Sequence, residues 1–193
     1  FSRMPTNRKR KNMCGIRPAQ ESIDAVNKMD RLTHIERLLI RAYRNWVTGM
    51  RLSDDYLWKQ AWAELENELG EPCAKGILGG MQSLIMGIGT HARRPVRLHP
   101  PSCSCVCPDE IAILTIIGAC QRREHARSRI AAEWIVNCDG ITSLLEGAVR
   151  IATALNQKEV FLPDRNKSAW EGSVTRRTEC DDHPIAPAAL GRP

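Results

Sequence analysis

The chain has 193 residues, 42% of them hydrophobic and 26% charged, with 28 lysines and arginines against 22 aspartates and glutamates. That is the composition of one ordinary globular domain, and it excludes a disordered or collagen-like chain. No apolar run reaches the roughly 18 residues of a membrane span, since the best stretch, 76–90, is interrupted by Gln82 and by glycines at 76, 79, 80, 87 and 89.

The net charge of +6 is concentrated at one end. Residues 1–17 carry Arg3, Arg8, Lys9, Arg10, Lys11 and Arg17 without an acid, and the rest of the chain is balanced. Residues 1–29 therefore read as a basic mobile tail, and an isoelectric point near 9.0 is weak evidence for a polyanionic partner. The sequence opens on Phe1, with Met4, Met13 and Met29 as candidate starts. No apolar stretch of leader length follows the cations, so a cytoplasmic location is expected.

Residues 30–163 are expected to form the domain, an all-α bundle of about six helices. Thr33 followed by Glu36 makes a capping box, and Ile35, Leu39, Ala42 and Trp46 then recur at helical spacing up to Gly49, the expected stop. Ser53 is the expected cap of a second, acidic helix with a stripe of Trp58, Trp62, Leu65 and Leu69, closed by Gly70. Pro72 suits the first turn of a third helix. That helix carries Ile77, Met81, Leu84 and Ile88 on one face and Gly76, Gly80, Ser83 and Gly87 on another. A small-residue face lets a neighbouring backbone come close, so this helix is expected at the centre.

A proline- and cysteine-rich loop follows, and Pro108 opens a fourth helix with Ile111, Leu114, Ile117 and Cys120 facing inward. The basic run 121–129 reads as a break or bend into a fifth helix with Ile130, Trp134 and Cys138 inward, and Asp139 as cap of a sixth bearing Ile141, Leu145, Ala148, Ala152 and Leu155. Residues 160–162 read as an extended clasp over the core, and 164–193 as a second mobile tail. No alternating run is long enough for a sheet.

Chemistry is concentrated in 91–107, where His91, His99, Cys103, Cys105 and Cys107 gather among prolines. Zinc favours a tetrahedral set of thiolates and imidazoles. His99, Cys103 and Cys105 are the first choices as ligands, with His91 or Cys107 as the fourth. Cys107 also has a simpler role, as the cap before Pro108, Asp109 and Glu110. The remaining cysteines are too sparse for a disulfide scaffold and read as small core residues. No phosphate loop, metalloprotease motif or nucleophile elbow is present.

Arg37, Arg41 and Arg44 share one face of the first helix, and Arg122, Arg123, Arg127 and Arg129 crowd the fourth junction. Arginine forks match carboxylates as well as phosphates, and no aromatics interleave with them to stack bases. The expectation is a non-enzymatic regulatory or adaptor module that presents these arginines to a protein partner, its 91–107 loop being either metal-free or clamped by a structural zinc, the one cofactor the residues suggest. Two alternatives are a DNA-binding regulator using the basic tail and the arginine clusters, and a thiol- or metal-dependent enzyme at Cys103, Cys105 and His99. Nucleic-acid contact would then run through the N-terminal tail. Deleting residues 1–17 should remove most weak binding to duplex DNA, read as loss of the salt-dependent component in a titration. Sequence-selective binding by the truncated chain would favour the DNA reading instead.

Overall fold

The structure, a computed structural model, describes residues 28–164 and the backbone of 183–185. The two expected tails lie almost wholly outside these residues. Among the described residues the protein is an all-α bundle of six α-helices, and none of them is long and apolar enough to cross a membrane.

Helix α1 (His34–Leu52) begins with the expected capping box: the Thr33 hydroxyl accepts the Glu36 amide at 3.3 Å, and the Glu36 carboxylate accepts the Thr33 amide at 2.8 Å. Gly49 does not end it. The helix runs on to Ser53, which closes it with a left-handed φ of 55°. Gly49 instead makes room for an indole, because a Cβ there would stand 2.7 Å from Trp58 Nε1. With Ser53 consumed as a C-cap, the cap of α2 (Asp55–Leu69) falls to Asp54, whose carboxylate accepts the Tyr56 amide at 2.9 Å. Gly70, at φ 81°, separates α2 from α3 (Glu71–His91), which carries Pro72 in its first turn as expected.

Strand β1 (Val96–Leu98) pairs antiparallel with β2 (His183–Ile185), a three-residue ribbon that leaves the fold class unchanged. Helix α4 (Pro108–Gln121) ends in a break at residues 122–124, where Arg123 has φ 58°, before α5 (His125–Ile135). The break resets the helical phase. Ser128, Ala132 and Ile135 consequently face inward, while Ile130 and Cys138, both expected inside, are exposed. A 3-10 turn, Cys138–Gly140, is capped by Asn137 rather than Asp139 and leads into α6 (Ile141–Asn156). Beyond it the clasp is real: the Gln121 amide donates to the Val160 carbonyl at 2.8 Å and accepts the Leu162 amide at 2.9 Å, over a buried Leu162.

Helix α3 is expected at the centre, but that place falls to α6, which packs against α3, α4 and α5, while α3 packs chiefly between α2 and α6. The apolar face of α3 enters the core, and its glycine face packs along α6. A Cβ at Gly80 would lie 2.6 Å from Ile151 Cγ1 and 2.7 Å from the Gly147 carbonyl. Gly147 on α6 returns the contact, since a Cβ there would meet the Leu84 nitrogen at 2.6 Å and the Gly80 carbonyl at 2.8 Å. Close approach of this kind outweighs the helix-propensity penalty of glycine, near 1 kcal/mol per residue.

Gly147→Ala should therefore lower stability by about 1–3 kcal/mol, because two backbones must separate. Gly79→Ala, where a Cβ would meet Arg150 Nη2 at an ordinary 3.9 Å, should instead hold or raise it. Denaturant midpoints of the two variants check the interface, and equal effects would show that it is loose.

Candidate functional site

The loop between α3 and α4 is organised by two successive carboxylates at the start of α4. Both belong in a first helical turn, where they meet the positive end of the helix dipole, and both are buried. Glu110 is the third residue of the helix, and its side chain reaches back to accept the Cys107 amide at 2.9 Å, which completes a capping box at the expected cap position. It also accepts the His99 amide at 3.3 Å.

Against Glu110 lies Arg44 of α1, and neither side chain has any exposure to solvent. Nε donates to Oε1 at 2.6 Å and Nη2 to Oε2 at 2.8 Å, a bidentate fork. The remaining N–H groups point at the loop: Nη2 donates to the Cys105 carbonyl at 2.5 Å, and Nη1 to the carbonyls of Cys103 at 2.7 Å and Pro100 at 3.4 Å. All five guanidinium donors are thus used. Asp109 serves the other side of the loop. Arg94 grips it with Nη1 at 2.8 Å and Nη2 at 2.6 Å, the Arg97 amide donates to it at 2.7 Å, and Trp134 Nε1 at 3.3 Å. The Arg94 guanidinium also lies 5.1 Å above the Trp134 ring.

Among the described residues, one group of His, Cys, Asp and Glu side chains is close enough to hold a metal ion: His99, Cys107 and Glu110, all buried, with ligand atoms within 4.8 Å of one another. Two of the five expected ligands are thus brought together, and Glu110 joins them. Cys103 and Cys105 fall outside the group and are partly exposed, while their carbonyls are the acceptors for Arg44. His91 is at the far end of α3, where its side chain packs against Gly140. Burial, with the negative charge of Glu110 adding to it, pushes the Cys107 thiol well above its ordinary range, so the sulfur is a neutral thiol, within 3.3 Å of the Arg97 carbonyl. Tyr43 is fully enclosed nearby, and its phenol is likewise raised, first by burial and then by Glu110.

The expected arginine surface is largely consumed. Arg44 is not on the surface at all. Arg41 pairs with Glu64 of α2 at 3.0 Å, Arg37 donates to the Leu32 carbonyl at 2.9 Å, and Arg129 pairs with Glu133 at 3.0 Å. Arg122 and Arg127 share Glu124 and Asp164, while Arg123 is exposed. Sequence reasoning missed the Arg44–Glu110 pair. One signal was available: Leu38, Leu39 and Ile40 in succession show that α1 is enclosed on most faces, leaving little water for an arginine at 44. Comparison with protein-family models, curated proteins and solved structures returned no match.

Arg44→Met and Glu110→Gln should each destabilise the domain by about 3–5 kcal/mol, because the surviving charge is left buried, and the double variant should lose less than their sum. Additive losses in urea titrations would mean that the pair is not coupled. Stability should also fall as pH rises from about 9, the ordinary thiol value. Cys107, Cys73 and Tyr43 keep their protons in the folded state after the unfolded chain has released them, so the unfolded state binds fewer protons there. Thermal midpoints between pH 8 and about 11 check this, with Cys120, raised to about 11, contributing over the same range. A midpoint that stays flat would contradict the burial of these groups.

Proposed function

We propose that this protein is a non-enzymatic helical module that binds a protein partner through the outer face of α5 and the strap 160–164. The observation that carries the reading is a large exposed apolar side chain on each of two elements that arginines hold together, Ile130 on α5 and Phe161 on the strap. Ile130 is 61% and Phe161 65% exposed. Arg122 donates to the Leu162 carbonyl at 3.2 Å and Arg127 pairs with Asp164, which holds the strap against the α4–α5 junction. Two further exposed arginines are Arg123, in the break before α5, and Arg129, on α5 itself. A partner suited to this surface carries apolar anchors flanked by carboxylates.

What supports a binding module over an enzyme is the use to which the buried polar groups are put. Arg44, Glu110, Arg94 and Asp109 each spend their hydrogen-bonding capacity on holding the loop. Zinc stands outside this reading. Both Glu110 oxygens already take a guanidinium, so a metal at His99, Cys107 and Glu110 would have to share that carboxylate with Arg44. Arg44 supplies the positive charge that a metal would otherwise bring.

A photoreactive residue placed at 130 or 161 in the full chain, expressed in its own host, should give one discrete protein adduct, and one placed at Leu52 should not. Ile130→Asp should abolish the adduct at 161 while leaving the thermal midpoint unchanged, since surface changes of this kind stay within about 0.5 kcal/mol. Adducts to nucleic acid, or equal labelling at all three positions, would overturn the proposal. The thermal midpoint should not change with a chelator, and a drop would restore the metal reading.

A further inference from the structure

Outside the Arg44–Glu110 cluster, the loop holds two partly exposed thiols, Cys103 and Cys105, on either side of exposed Ser104. The Cys103 sulfur is folded back onto the Cys105 backbone. The Cys103 amide donates to the Pro100 carbonyl at 3.0 Å, which turns the chain, and the Cys105 amide donates to Cys103 Sγ at 3.4 Å. The Cys103 sulfur thus lies against the backbone from which the Cys105 side chain springs. Arg44 pins the carbonyls of both residues, so the curvature on each side of Ser104 is held by the core rather than left to the loop.

We propose that Cys103 and Cys105 form a reversible dithiol–disulfide site that exchanges with small disulfides of the glutathione class. Ring closure between residues two apart is opposed by strain and by the entropy of ordering the turn. Here the entropic part is reduced, because the fold has already ordered the backbone. The exchange runs in two steps. The thiolate of one cysteine attacks a sulfur of glutathione disulfide, breaking its S–S bond, forming a mixed disulfide and expelling one glutathione thiolate. The second protein thiolate then attacks the protein sulfur of the mixed disulfide, forming the Cys103–Cys105 bond and expelling the second glutathione thiolate. Two protein thiols are oxidised, one glutathione disulfide is reduced, and the two thiol protons pass to the departing thiolates.

Buried cysteines do not compete. Cys107 and Cys73 are enclosed, and burial holds both thiols in their protonated form. The ring would also enclose the point at which the N-terminal segment meets the domain: the Ser104 carbonyl accepts the Met29 amide at 2.8 Å, and Lys28 bridges to Cys105. Oxidation is therefore placed to alter how that segment is anchored.

The test equilibrates the full chain with glutathione buffers of rising oxidised fraction, quenches with acid, alkylates the remaining thiols and maps the products by mass and fragmentation. The expected product lacks two hydrogens, carries no glutathione and has its bond between Cys103 and Cys105. Excess reduced glutathione should return it to the dithiol. Cys105→Ser should lose the disulfide and accumulate glutathione on Cys103, and Cys103→Ser should do the converse. Glutathione that persists on the wild-type loop, a bond to any other cysteine, or thiols that stay reduced at every ratio would each overturn the proposal.

Discussion

One buried ion pair governs the arrangement of this molecule. Arg44 and Glu110 come from helices far apart in sequence, and removing both from water is costly unless every donor and acceptor is satisfied. Here that condition is met for the guanidinium, with a bidentate fork to the carboxylate and the other hydrogens on the carbonyls of Pro100, Cys103 and Cys105. The pair acts as a three-way joint. It fixes α1 to the start of α4 and draws the intervening loop onto both.

The same economy recurs one residue earlier. Asp109 gathers Arg94, the Arg97 amide and Trp134, so β1 and α5 are tied to the helix start that Glu110 already holds. A loop rich in proline, cysteine and histidine is thereby ordered by charge-assisted hydrogen bonds. Ligand-type residues gathered in one loop resemble a metal centre in sequence. Three groups that could hold a metal, His99, Cys107 and Glu110, stand inside a polar core beside the Arg44 guanidinium.

The other half of the fold rests on close packing. Reciprocal glycines at 80 and 147 bring α3 and α6 together until each backbone occupies the space of the other's absent Cβ. Large apolar side chains stand in solvent at Leu52, Tyr56, Met86, Ile130, Val149 and Phe161, and the proposed partner surface draws on two of them, Ile130 on α5 and Phe161 on the strap that follows α6.

Local chemistry was enough to read the fold class and most helix starts. The Thr33–Glu36 box, Pro72 and Pro108 in first turns, and Gly70 between two helices act through the backbone within a few residues, and all are where the sequence places them. The glycine face of α3 was legible for the same reason. What tertiary structure decided is everything that depends on a residue distant in sequence. Gly49 reads as a stop yet lies within the helix, where its missing Cβ leaves room for Trp58, and Ile130 reads as core yet is exposed because the break at Arg123 shifts the phase of α5. Arg44 looks like a surface cation by periodicity, and Glu110 like an ordinary first-turn acid. Their 66-residue separation hides the pairing. A spacing rule describes one helix at a time, whereas the desolvation that makes this pair decisive exists only once two helices and a loop have closed around it.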